Sequence, residues 1–122
     1  MNLSIISLLV LTLWVLPLGG QSAAKAGNAG SGKKIYFAVG CYQCHGLQGQ
    51  GGSAAPAGSY GPRLAPVKLP EAVIRAYLRH PSGNMPPYTA KVLSDSQIND
   101  IFAFLMTIPA PPPVKDIPLL NP

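Results

Sequence analysis

Two cysteines stand three positions apart with a histidine directly after the second: Cys41-Tyr42-Gln43-Cys44-His45. Two thiols on one turn of chain reach the two vinyl groups along one edge of a porphyrin and close thioether bonds to them. The adjacent imidazole then turns beneath the ring to meet iron, so this C-x-x-C-H spacing is the attachment signature of haem c. Rival chemistries fit less well. Zinc wants two further ligands at finger-like spacing, and only His80 remains, with no second cysteine pair. A dithiol redox pair needs a βαβ setting that the sequence lacks.

Iron held by His45 needs a sixth ligand on its opposite face, and the candidates are Met85, Met106, His80 or none. Met85 lies in Gly83-Asn84-Met85-Pro86-Pro87-Tyr88, where two prolines fix the backbone and hold a thioether in place. Met106 falls at the end of a helical pattern among core residues, where methionine usually fills gaps. His80, beside Arg79 at a helix end, reads as an exposed or propionate-facing side chain. Met85 is therefore the expected ligand. A soft thioether opposite histidine favours the reduced metal and leaves no coordination site for a substrate, which describes an electron carrier and not an enzyme.

Helices must position these residues. From Ser31 to Gly40, Ile35, Tyr36 and Val39 recur at helical spacing and Gly40 supplies a stop. Pro70 and Glu71 open a second helix with Val73, Ile74, Tyr77 and Leu78 on its apolar face, ended by Pro81. Ser94 with Gln97 makes a capping box, followed by the stripe Ile98, Ile101, Phe102 and Leu105 up to Pro109. Between the first two helices, Gly46 to Gly61 has six glycines and no apolar periodicity; such a loop takes positive φ and approaches another group closely, or serves as a flexible linker. Alternating β patterns are absent. The expected fold is all-α, about three helices and long loops wrapped around one covalently bound haem, with a Pro-rich tail over 109–122 as extended polyproline-like chain.

Residues Ile5 to Leu18 form an apolar run followed by GGQSAA, the layout of a secretory signal peptide cleaved near Ala24; no Lys or Arg precedes it, which leaves an uncleaved tether as the alternative. The run is shorter than the ~20 residues that span a bilayer, so no permanent membrane anchor is expected. The chain divides into a signal peptide (1–24), a haem-carrying domain (25–108) and the tail (109–122), and the mature protein belongs in the periplasm. Trp14, the sole tryptophan, leaves with the signal. Of the 122 residues, nine Lys and Arg against four Asp and Glu give a net charge of +5. The positive charge is scattered and lacks the basic runs of nucleic-acid binders, so an acidic protein surface is the better partner. A domain this small buries too little apolar surface to be secure without a staple or a cofactor.

With these residues in hand, the chain resembles the small monohaem class I cytochromes c of bacteria from about Ser31 to Ile108. The likeness rests on Cys41 to His45, on Gly61-Pro62-Arg63-Leu64, similar to the family's G-P-x-L loop, and on Met85 before Pro86. It implies that the Pro62 carbonyl accepts a hydrogen bond from His45, orienting the ring and raising its basicity. It also implies a crossing of the first and last helices, Gly32 and Tyr36 against Ile101, Phe104 and Leu105. Arg63, Tyr60 and Tyr88 become candidates for haem propionates, or for plain exposure and packing. One departure is that Met85 arrives only forty positions after His45, so the intervening helices must be few and short.

The family exposes one haem edge near the thioethers, and Lys33, Lys34, Lys68 and Lys91 are the charges that would steer an acidic partner toward it. The expected function is a diffusible periplasmic carrier, monomeric when free, between a dehydrogenase or respiratory complex and a terminal oxidase or reductase. The alternative is a dedicated cytochrome subunit of a periplasmic dehydrogenase, with the tail as its fixed contact. A haem enzyme or ligand sensor would need an open sixth position.

Overall fold

The structure is a computed structural model that describes residues 26–52 and 60–120. The expected signal peptide over 1–24, with Trp14, lies outside the described residues. Among the described residues four α-helices follow one another: α1 (Ala29–Ala38), α2 (Cys41–His45), α3 (Glu71–Arg79) and α4 (Asp95–Met106). Among the described residues there is no strand, and no helix is long and apolar enough to cross a membrane. The all-α expectation holds, with the short α2 added to the three helices read from periodicity.

α1 begins earlier than its apolar spacing suggests, because Asn28 caps it: the side-chain oxygen accepts from Ser31 N–H at 2.8 Å, satisfying one of the free donors of the first turn. The Asn28 N–H in turn donates to the Asp100 carboxylate at 2.7 Å, which fastens the start of α1 to α4. α4 carries the capping box expected of Ser94 and Gln97, with both reciprocal bonds present. α3 starts behind Pro70 with Glu71 in its first turn, and the missing proline N–H costs nothing there.

α1 packs chiefly on α4, and glycine sets how closely. A Cβ on Gly32 would lie 1.8 Å from the Asp100 carbonyl oxygen, and one on Gly27 would lie 2.1 Å from that of Asn99. The two backbones therefore touch, and the next turn of each helix interlocks: Tyr36 is fully buried and its ring centroid lies 5.5 Å from that of Phe104. The core around this crossing comprises Tyr36, Ala65, Leu78, Leu93, Ile98, Ile101, Phe104 and Leu105.

Three expectations change. Phe102, read as part of the apolar stripe of α4, is only half-buried, while Phe104, which the resemblance placed at the helix crossing, is buried, because the face of α4 is set by the Gly32–Tyr36 ridge it meets. Met106 is 57% exposed and fills no gap in the core. The tail is not a continuous polyproline helix: Val114–Asp116 and Pro118–Leu120 are 3₁₀ turns. Asp116 N–H closes on the Pro113 carbonyl at 2.9 Å and Leu120 N–H on that of Ile117 at 3.0 Å. Pro113 supplies one acceptor and Ile117 the other, and the residues between the prolines supply the donors that an all-proline run would lack.

Candidate haem-binding site

α2 is one isolated turn because a glycine bounds it at each end. Gly40 (φ 82°) forms its N-cap and Gly46 (φ 80°) its C-cap, both in the region that a Cβ disfavours. Cys41 and Cys44 thus share one helical turn with His45, three residues apart and on neighbouring positions of its surface. Both cysteines are free thiols and half-buried. Burial pushes the Cys41 thiol up to about 11, so at neutral pH it keeps its proton. That is the reverse of the depressed thiol that dithiol exchange requires.

His45 is 7% exposed, and its Nδ1 lies 2.8 Å from the Pro62 carbonyl oxygen. A carbonyl can only accept, so Nδ1 carries the proton and donates it, and Nε2 keeps its lone pair. This is the tautomer that binds a metal through Nε2. Gly61 makes room for the bond: a Cβ there would lie 2.5 Å from His45 Nδ1 and 2.8 Å from the Cys44 carbonyl oxygen. The Gly61 N–H instead donates to that same carbonyl at 2.9 Å.

The described parts of the glycine-rich loop are folded back on α2 and do not form a linker. Gly51 N–H donates to the His45 carbonyl at 2.8 Å, Gly52 N–H to that of Gly61 at 3.3 Å, and Leu64 N–H to that of Gly49 at 2.7 Å. From α1, the Tyr36 hydroxyl donates to the Gly46 carbonyl at 2.7 Å, and burial raises the Tyr36 phenol well above its usual range. The same tyrosine that locks the helix crossing also fixes the residue after His45.

Met85 belongs to a shell of partly buried side chains around the core that includes Val39, Cys41, Leu64, Val67, Ile74 and Tyr88. Of the other sixth-ligand candidates, His80 is the exposed C-cap of α3 and Met106 points outward. Tyr60 is 70% exposed. Arg63, also exposed, donates to the Ala65 carbonyl at 3.3 Å. Val73 and Tyr77, read as part of the apolar face of α3, are largely exposed, while Leu78 is buried.

Two residues have larger roles than their types suggested. Arg79 donates through Nη1 to the carbonyls of Tyr88 (2.6 Å) and Leu93 (2.8 Å), and through Nη2 to Asp95. Tyr88 donates its hydroxyl proton to the Val39 carbonyl at 2.9 Å, and burial raises its phenol. An arginine in the last turn of a helix ordinarily signals capping, but its partners here lie 9 to 16 residues away, beyond the reach of a local pattern.

This donor set fits haem c. Two thiols free of any disulfide share one turn with an imidazole whose Nε2 lone pair is left free, and Cys41 and Met85 both pack, partly buried, against the same core. A structural zinc site does not fit, since among the described residues no group of three or more His, Cys, Asp or Glu side chains converges.

The sequence profile of the family described as "Cytochrome C oxidase, cbb3-type, subunit III" matches residues 27–105, and the chain belongs to this family of c-type cytochromes. It is a haem protein that transfers electrons, not an enzyme. Among its relatives is the cytochrome c subunit of hydroxylating 4-cresol dehydrogenase from Pseudomonas putida, 34% identical over 101 residues that cover 80% of each chain. No solved structure matches it.

Proposed function

We propose that residues 25–108, after removal of 1–24 in the periplasm, carry one haem c joined by thioethers to Cys41 and Cys44, with its iron between His45 and Met85. The observation that carries this reading is the hydrogen bond from His45 Nδ1 to the Pro62 carbonyl at 2.8 Å, which leaves the Nε2 lone pair as the ring's ligating atom on the same turn as the two thiols. When bound, the haem supplies a metal that accepts and releases one electron at a time. Pro62 and Gly61 hold the imidazole in one orientation, so the ring does not swing as charge changes. The Met85 thioether would be the second ligand, and a soft thioether opposite histidine would favour the reduced form.

Electron delivery then depends on docking. Lys33, Lys34, Lys68 and Lys91 are exposed. The acids Glu71, Asp95 and Asp100 are engaged internally, with Arg75, with Arg79 and with the Asn28 N–H. The unpaired charge facing solvent is thus mostly positive, which steers an acidic redox partner. The reading is a diffusible carrier, monomeric when free and without a membrane anchor, between a dehydrogenase or respiratory complex and a terminal oxidase or reductase.

A second reading, a dedicated subunit of a periplasmic dehydrogenase, is favoured by the 34% identical relative, which is the cytochrome c subunit of a dehydrogenase. Oxidised and reduced spectra of protein matured in a haem-attaching periplasm, wild type beside Met85→Ala, test the ligation. The weak long-wavelength band of methionine-ligated ferric haem is expected in the wild type and absent from the mutant. A high-spin wild type that binds carbon monoxide at neutral pH overturns it. Gel filtration of the native extract separates the two partner readings: a carrier elutes at monomer size, and a subunit co-elutes with its enzyme.

A further inference from the structure

Tyr88 stands three residues beyond Met85, and each of its polar groups is committed to a different element. Its N–H donates to the Leu78 carbonyl at 2.9 Å, on the last turn of α3. Its carbonyl accepts from Arg79 Nη1 at 2.6 Å, and the same nitrogen holds the Leu93 carbonyl at 2.8 Å, so Arg79 fixes the far end of this segment too. The hydroxyl crosses the molecule to α1, donating to the Val39 carbonyl at 2.9 Å over a sequence separation of 49. Val39 is the C-cap of α1, two residues before Cys41. The carbonyls at the end of a helix have no partner within it, and here a phenol from the methionine loop supplies one.

The consequence is mechanical. The main-chain bonds of Tyr88 tie the Met85 loop to α3, but α3 has no direct hold on the cysteine helix. The hydroxyl links the loop to the segment of chain that leads into Cys41, and a phenylalanine would pack in the same half-buried place without making that link. We infer that Tyr88 is a positioning residue for the sixth ligand: its bond to Val39 sets the distance between the Met85 loop and the Cys41–His45 turn, and so how readily the thioether yields its place. The inference rests on the reading that Met85 ligates the iron.

The test is an imidazole titration of the oxidised holoprotein, followed by loss of the methionine band, on wild type and Tyr88→Phe, with Met85→Ala marking the fully open site. The phenylalanine keeps the ring and both main-chain bonds, so haem content and helical circular dichroism are expected to match the wild type. Imidazole is expected to bind about two- to twelve-fold more tightly, the equilibrium weight of one neutral hydrogen bond, and the reduction potential to fall. A merely structural role would lower the thermal midpoint without changing imidazole affinity well below it. If Tyr88→Phe and wild type bind imidazole equally while the wild type shows its band, the positioning role is overturned and the ligation by Met85 stands. If the wild type has no such band and binds imidazole like Met85→Ala, the ligation reading fails, and this inference with it.

Discussion

Replacing Gly61 with alanine strikes the contact on which the site depends. The added Cβ would lie 2.5 Å from His45 Nδ1, 2.7 Å from its Cε1 and 2.8 Å from the Cys44 carbonyl oxygen. Ordinary contact begins near 3.4 Å, so about 0.9 Å must be found against a ring that is itself 93% buried. Two relaxations exist. The imidazole can turn, which breaks its bond to Pro62, or the 60–63 segment can retreat, which breaks the Gly61 to Cys44 bond as well. Overpacking costs about 1–3 kcal/mol and one lost hydrogen bond about 0.5–1.5 kcal/mol, so the variant should lose roughly 2–4 kcal/mol. For a domain of this size that is a fall of roughly 10–25 °C in Tm. Thermal unfolding of holoprotein, followed by helical circular dichroism, measures it, and the reduction potential should shift because the histidine loses its orienting acceptor. A Tm within about 2 °C of wild type, with an unchanged potential, would show that the loop does not hold His45 as described.

Other perturbations separate the fold from the site. Gly32→Ala drives a Cβ to within 1.8 Å of the Asp100 carbonyl oxygen; neither backbone can yield, and even after the roughly 1 kcal/mol that alanine gains in a helix the loss should reach about 3 kcal/mol or more, read by denaturant titration of the holoprotein. An increase in stability would contradict the close crossing of α1 and α4. The double variant Cys41→Ala, Cys44→Ala should yield a largely unfolded apoprotein, since the described core is small and the porphyrin is expected to complete it; a cooperative, helical apo form would refute this. Because burial raises the Tyr36 phenol above its ordinary value of 10.0, its contribution to stability is complete below pH 10 and is lost as pH rises beyond it. The Tm of the holoprotein should therefore decline above pH 10, and less steeply in Tyr36→Phe. An equally steep decline in that variant would remove Tyr36 as the cause.

Much of the fold was legible because its signals are local. The capping box at Ser94 and Gln97, Pro70 before α3 and Gly40 after α1 each act within one turn of chain, where residue type nearly dictates geometry. Asn28 escaped because no apolar pattern flagged the turn it caps. The half-exposure of Phe102 has a different origin: Phe102 and Phe104 both lie near the edge of the α4 stripe, periodicity does not separate them, and the ridge presented by Gly32 and Tyr36 takes Phe104, as the family resemblance implied. The tail misled because composition reports proline content, whereas the turns at 114–116 and 118–120 arise from the few N–H groups between the prolines.

The residues of the candidate site follow the same division. Cys41, Cys44 and His45 are contiguous, and their chemistry is set by spacing alone, so the sequence determined the class of cofactor, the all-α fold and the family. How the site is held was decided by tertiary structure. The tautomer of His45 depends on a carbonyl 17 residues away, a bond that the family resemblance implied but that no local pattern of residues specifies. The room for that bond depends on a glycine that contacts the ring only after the loop folds back. The loop of Met85 is tied to α1 by a phenol 49 residues from its acceptor. Short-range steric and hydrogen-bonding preferences survive in a string of letters; the partners of a buried donor or acceptor are chosen by packing, which brings distant carbonyls within 3 Å only once α1 and α4 have crossed.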